Sequence, residues 1–378
     1  MSERIRIAFR FVVATLAFFS PIGAQEDQPA AKRAEEVAEP TVQQQAPAPR
    51  FVQILYPQDK ETVVALVDGS PIWLEHVVAH LDERHYPGFA RLMAGEEGSG
   101  SPDGRRILQS DLIAPWVRHY ADVKALEAEA RARGPINQEL LDAALSAALK
   151  KSFEDYLQAY TEDLTQRNLP TELSQKRVDS LLTDFQMRFG LSCELQGWID
   201  YLQPIENWSN ARLNDFFQSK PRYFGGGVTI QHILVQNRDP GTGILLLEKE
   251  RIAAATRLSE IQKRIAPDGS NFEEIARQFS EDTRTAKVGG LLENVERFDQ
   301  RLPTVLCRVA WSLTDGEISG VVESQYGWHI VRRIEHVQRM FMLFTDATVP
   351  LVQRMLQREL QEDLLFAARK KRAVELKL

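Results

Sequence analysis

His232 lies in Thr229–Val235, a run of β-forming residues, and His329 lies in a second such run, Gln325–Glu335. Side chains alternate along a strand, so His232 shares a face with Ile230 and Leu234, and His329 with Gly327 and Val331. A neutral imidazole carries one donor and one acceptor nitrogen, so each ring can hold a polar partner within a sheet. A purely architectural role, setting the shape of the sheet, is the plainer alternative. Asp282 follows the short helical stretch Phe272–Phe279, at a place where a loop carboxylate caps local N–H groups. The two cysteines, Cys193 and Cys307, lack neighbours that would activate a nucleophile. Cys307 sits in the apolar stretch Val305–Trp311 and reads as a buried thiol.

Several short segments around these residues carry a resemblance. Gln231-His232-Ile233-Leu234-Val235, Asn271–Ala276, Phe279–Asp282, Gly289-Gly290, Gly316–Ser319 and Tyr326–Ile330 stand in this order. They resemble, in order and near-spacing, the landmarks of the parvulin family of peptidyl-prolyl cis/trans isomerases. The resemblance implies an α+β fold, with a compact βαααβαββ module at 225–338. In the family two histidines on neighbouring strands face each other, linked through a hydroxyl or a water; they match His232 and His329. The acid beside the substrate amide matches Asp282, which would bias the electrostatics around the twisting carbonyl. The apolar proline pocket matches Leu302 and Leu306, with Trp311 as a later aromatic and Ser319 assigned to substrate binding. As plain core residues the leucines would look the same.

Such an enzyme needs no metal and no cofactor. Isomerisation of an X-Pro bond is slow because the twisting amide loses conjugation, at a cost of about 20 kcal/mol. A site need only favour the twisted amide over the planar one, and a thousandfold gain asks for about 4 kcal/mol of preference. Two departures concern the loop beside the site. Leu291-Leu292-Glu293 replaces the family's usual continuation after the glycine pair, and Gly290–Leu302 is somewhat longer than usual. In residues 236–243 Arg238 is the one basic residue, so a preference for phosphorylated Ser/Thr-Pro is not expected.

The rest of the chain must position or serve this module. VVALV from Val63 reads as a strand and the start of ordered structure, Asp68-Gly69 as a turn, and Ile72–Leu81 as a passage from strand to helix. Residues 85–104, rich in glycine, read as a mobile loop. Helical periodicity then runs from Asp103 to about Phe217. It includes Ile107 and Leu108, is interrupted at Gly134-Pro135 and Pro170, and has Asn137 as a cap. Val349–Leu378 reads as one amphipathic helix, too short to stand alone, whose simplest burial is against the N-terminal helices. The expected organisation is thus a helical, chaperone-like domain at 51–224, completed by a C-terminal helix at 345–378. It resembles the plan of exported parvulin chaperones.

The N-terminus places Arg4, Arg6 and Arg10 before the apolar run Phe11–Phe19 and a small residue at Ala24, the pattern of a cleaved signal at residues 1–24. Residues 25–50, rich in Ala, Pro, Gln and Glu, read as a disordered linker. Export, with the periplasm as the expected compartment, follows. The 378-residue chain has a net charge of −7, which gives no support to nucleic-acid binding. The expected partners are unfolded or partly folded proline-containing polypeptides, with no nucleic acid and no metal. An extracytoplasmic holdase with an inactive parvulin module is the alternative function.

Overall fold

The computed structural model describes residues 53–56, 59–94, 106–205, 208–239 and 246–377. The signal expected at 1–24, the linker at 25–50, residues 95–104 of the glycine-rich loop and residues 240–243 lie outside the described residues. The strands and helices follow in order: β1 (Gln53–Tyr56), β2 (Val63–Val67), β3 (Ser70–Trp73), α1 (Leu74–Arg84) and α2 (Phe89–Met93). Next come β4 (Arg106–Gln109), α3 (Ser110–Arg133), α4 (Gln138–Gln166), α5 (Gln175–Leu202) and α6 (Asn210–Ser219). The second half holds β5 (Gly226–Gln236), α7 (Glu248–Arg264), α8 (Phe272–Phe279), β6 (Leu291–Val295), α9 (Thr304–Ser312), β7 (Val322–Ser324), β8 (Gly327–Gln338), α10 (Val349–Lys371) and β9 (Glu375–Leu376). Among the described residues no helix is long and apolar enough to cross a membrane.

Glu154–Leu173, the end of α4 and the turn beyond it, belongs to a different compact unit from the rest of the described chain. Within it the rings of Tyr156 and Tyr160 stack at 6.4 Å, and Asn168 turns the chain with φ of 54°. Residues 51–153 and 174–378 form the second unit.

The caps explain where the long helices begin. Asn137 Oδ1 accepts from Leu140 N, Ser174 Oγ from Arg177 N and Ser209 Oγ from Arg212 N, each satisfying a donor that the first turn leaves open. One core joins β2, α1, α3 and α5 through Val64, Leu74, Leu81, Val117, Leu126, Leu191 and Trp198. Leu364 and Ala368 of α10 enter the same core, while Val352 and Leu356 pack with Trp208, Leu213, Phe217 and Phe224.

Several details differ from the sequence reading. The described residues open with β1, which pairs with β4, so Ile107 and Leu108 belong to a strand and the helix starts only at Ser110. Strand pairing between distant segments has no local periodicity to announce it. Phe89 and Met93 form a buried helical turn inside the stretch read as a loop. The C-terminal helix stops at Lys371. Ala373, with φ of 43°, turns the chain, and β9 pairs with the free edge of β2 at Ala65 and Leu66. An unpaired strand edge offers a row of backbone donors and acceptors, and a terminal segment that fills it gains them all.

The second half is an antiparallel sheet in the order β6-β5-β8-β7. One face carries Ile233, Val235 and Ile330 against Leu258 and Ile261 of α7 and Phe272, Ile275 and Ala276 of α8. The opposite face carries Val228, Ile230 and Val331 against Leu306, Cys307, Ala310 and Leu313 of α9. The fold is α+β. The third helix of the expected βαααβαββ order is a single 3-10 turn, Ala286–Val288.

Candidate active site

His232 and His329 project from adjacent central strands. His232 is paired with Val331 and His329 with Leu234, so the two rings meet diagonally across the ladder. Their centroids are 5.8 Å apart and their planes only 19° from parallel. Both side chains are buried, at 3% and 2% exposure.

Polar partners hold each ring from its outer end. His232 Nε2 lies 3.0 Å from Asp282 Oδ2 and 2.9 Å from Thr285 Oγ1, and the Thr285 hydroxyl donates to Asp282 Oδ2 at 2.9 Å. This leaves Nε2–H as the donor to both oxygens. On the other ring His329 Nε2 is 2.7 Å from Ser324 Oγ, which also accepts from Tyr326 N at 3.1 Å. A serine oxygen already accepting from an amide can give its own hydrogen to His329 Nε2, which assigns that ring's proton to Nδ1. The Nδ1 atoms of both rings are buried and have no partner among the described residues. By this assignment Nδ1 of His329 carries that ring's hydrogen. The hydroxyls therefore stand at the outer ends of the pair rather than between the rings.

The loop carrying Asp282 is stitched to β5 where β6 stops pairing. Gly290 O accepts from His232 N, Ser280 Oγ accepts from Leu234 N, Glu281 N donates to Leu234 O, and Glu281 Oε2 accepts from Gln236 N. Arg257 of α7 forms an ion pair with Glu281. The sequence Leu291-Leu292-Glu293, unusual for the resemblance, is simply the start of edge strand β6, with Leu291 opposite Gln231 and Leu292 opposite Ile230.

Electrostatics separate the two rings' roles. Burial acts to raise the Asp282 carboxyl, but hydrogen bonds from His232 and Thr285, the His232 charge and the Arg284 amide outweigh it and hold it well below the usual carboxylate range. Burial pushes His329 down to about 3, with His232 lowering it further and Asp282 opposing. Thus His329 is neutral at ordinary pH. The Cys307 thiol, in the α9 core, is pushed up to about 12 by burial and by nearby Asp299, which makes it inert.

The depressed value of His329 makes a prediction about acid stability. An unfolded histidine binds its proton near pH 6.5, whereas folded His329 does so only near 3. Between those values the unfolded chain holds more protons, so stability falls as pH drops, by up to about 1.4 kcal/mol per unit. Asp282 adds stability that is present above the unfolded carboxylate value and lost as pH falls through its lower folded one. Urea unfolding of this half of the chain, repeated from pH 7 to 4, should show the loss, and His329→Asn should flatten it. An unchanged slope in the variant would remove His329 as its source.

Of the other expected site residues, Leu306 is 1% exposed and shares its cluster with Val331, the residue opposite His232. Leu302 packs at the edge of that cluster. Ser319 N donates to Val331 O and its Oγ accepts from Val331 N while donating to Gly320 O, so its hydroxyl is engaged in bracing β8. Trp311 stands apart from the histidine pair. Its ring is 5.2 Å from Tyr223 and 5.8 Å from His336, and its Nε1 donates to Val295 O. His336 is opposite Val228 in the ladder, roughly 20 Å along the strand from His329. The sequence reading missed Thr285 and Ser324. Their signal was proximity: Thr285 is three residues beyond Asp282, and Ser324 ends β7 just before the turn into β8.

Residues 232–335 match the family model described as Rotamase, PPIC-type PPIase domain. Foldase protein PrsA 1 of Lactobacillus johnsonii is 29% identical over 110 residues, covering 29% of this chain and 31% of that protein. Foldase protein PrsA of Staphylococcus aureus is 40% identical over 81 residues, covering 21% of this chain and 24% of that protein. The match thus spans less than a third of the length of these curated relatives. Among solved structures, a PpiC-type peptidyl-prolyl cis-trans isomerase domain aligns with 32% of this chain and 99% of its own, at 25% identity and a TM-score of 0.27. PrsA from Bacillus subtilis aligns with 82% of this chain and 93% of its own, at 16% identity and a TM-score of 0.21.

Proposed function

We propose that the PpiC-type rotamase domain at residues 232–335 isomerises X-Pro bonds in partly folded exported polypeptides, by non-covalent catalysis centred on His232, His329 and Asp282. The observation that carries this reading is the buried, near-parallel histidine pair, held by Asp282 and Thr285 at one end and Ser324 at the other. A rigid polar floor of this kind does not reorganise as the amide twists, so its interaction with the twisted carbonyl is not offset by a reorganisation cost. Leu302 supplies apolar surface for the proline ring, backed by Leu306 and Val331 in the same cluster. Trp311 and Ser319 act through packing and through β8 rather than by touching substrate.

The helical region serves to hold the client, and residues 1–24 serve as the export signal, with the periplasm as destination. The exposed run of Met340, Phe341 and Leu343, immediately after β8, favours capture of unfolded segments alongside catalysis. A holding function without catalysis is the second reading.

The deciding experiment follows isomerisation of unfolded X-Pro tetrapeptides by the full chain. His232→Ala and His329→Ala should each lower kcat/KM by at least about tenfold, equivalent to roughly 1.4 kcal/mol of transition-state stabilisation. Cys193→Ala should leave it unchanged. Peptides with plain apolar residues before proline should turn over at least as well as phosphorylated ones. Full activity in the folded double-histidine variant would reject the assigned site and leave the holding function.

A further inference from the structure

A second polar cluster lies in the helical region. His80, near the end of α1, and His85, the residue that caps it, both aim Nε2 at one oxygen of Glu194 on α5. The distances to Oε2 are 2.7 and 2.8 Å. The three ligand atoms lie within 4.8 Å of one another. Glu194 is 5% exposed, and the histidine side chains are 12% and 11% exposed. A cleft of about 370 Å³ opens beside them, lined by His76, Tyr120, Lys124 and Glu127 among others.

The surroundings keep these groups in place. The His80 ring meets Tyr120 edge-on at 5.0 Å. Gly190 stands one helical turn before Glu194, on the same face of α5. A Cβ there would come within 2.7 Å of His85 Nδ1, so the missing side chain makes the seat for that ring. The structure thus provides two imidazoles and a carboxylate converging on one point, a close-fitting seat and a solvent path.

We propose that His80, His85 and Glu194 bind a divalent transition-metal ion of the zinc class, with a cleft water completing its shell. Two neutral imidazole nitrogens and a carboxylate oxygen are the donor set such borderline ions prefer over calcium or magnesium. In a tetrahedral shell with bonds of about 2.0–2.2 Å, neighbouring ligand atoms stand roughly 3.3–3.6 Å apart, so each imidazole nitrogen must draw back from Glu194 Oε2 by about 0.5–0.9 Å. Each Nε2 offers its lone pair to the ion, its hydrogen passing to Nδ1 of the same ring or, from an imidazolium, to solvent. Arg84 Nη1, 3.6 Å from Glu194 Oε1, opposes an incoming cation, but its side chain is 48% exposed and free to swing outward. Neither histidine lies in a compact ligand motif with Glu194, so the sequence alone does not announce the cluster.

The probe is zinc alone, titrated calorimetrically into chelator-treated full-length protein, with cobalt absorption reporting the donor set. One ion per chain should bind at this cluster. Glu194→Gln and His85→Gln should each weaken it by at least about tenfold, the range in which even outer partners act. Gly190→Ala, which keeps all three ligands but displaces the His85 ring, should weaken it as well. Arg84→Gln should tighten binding, an effect that a mere hydrogen-bonded clasp would not produce. His336→Gln, in the other half of the chain, should change nothing. Zinc should raise Tm in the wild type and not in Glu194→Gln. No stoichiometric binding by the wild type, or binding unaltered in both Glu194→Gln and His85→Gln, overturns the site and leaves a hydrogen-bonded joint between α1 and α5.

Discussion

Removal of residues 345–378 should unfold or severely loosen the helical region while the β5–β8 sheet stays folded. The deletion takes away Val352, Leu356 and Leu364, which are buried against α3, α5 and α6. At about 1.5–3 kcal/mol for each large apolar side chain, these three supply roughly 5–9 kcal/mol. That rivals the whole stability of a typical domain, about 5–15 kcal/mol. The deletion also removes the paired Arg369 guanidinium from Asp122, which is 1% exposed, and strand β9 from the edge of β2. The sheet keeps both of its own apolar clusters.

It does not escape untouched, because α10 reaches it as well. Arg297 forms ion pairs with Glu359 and Glu362, and Arg308 pairs with Asp363. Without α10 these arginines become solvated, a modest change beside the loss of an apolar wall. Hydrogen exchange on the truncated chain should show fast exchange in α1, α3 and α5 and protection in β5 and β8. Unchanged protection of α3 and α5 would mean that α10 contributes little to their core.

Gly290→Ala is the single substitution expected to act most strongly on the half that carries the β5–β8 sheet. Gly290 has φ of 78°, and a Cβ there would sit 2.2 Å from the His232 carbonyl oxygen. The left-handed backbone costs an alanine about 1–2 kcal/mol, and forcing the loop off β5 adds about 1–3 kcal/mol, for roughly 2–5 kcal/mol together. Because Gly290 O accepts from His232 N, the shift also moves the strand that carries His232, so the proposed isomerase activity should drop with stability. Gly316→Ala is the matched control. Its φ is 87° with nothing near a Cβ, so only the backbone cost of about 1–2 kcal/mol applies. Equal urea midpoints for the two variants would show that the close approach at His232 is relieved without cost.

Much of this protein can be read from local pattern. Runs of β-forming residues around His232 and His329 place both on strands, and the capping residue Asn137 lies at the expected helix start. The helix Phe272–Phe279 falls where its periodicity puts it. These are properties of neighbours in sequence, for which chain entropy is small and spacing is a direct guide. The pairing of β1 with β4 and of β9 with β2 leaves no such trace, since any strand edge can accept any extended segment. The same holds for the sites. His232 and Asp282 belong to recognisable segments, but whether Trp311 lies beside them depends on how α9 crosses the sheet, and it lies near His336 instead. Likewise, nothing in the neighbourhood of residue 80 or 85 points to Glu194. That meeting exists because α1 and α5 bury their apolar faces in one core, and burial brings distant polar residues together wherever those faces happen to end.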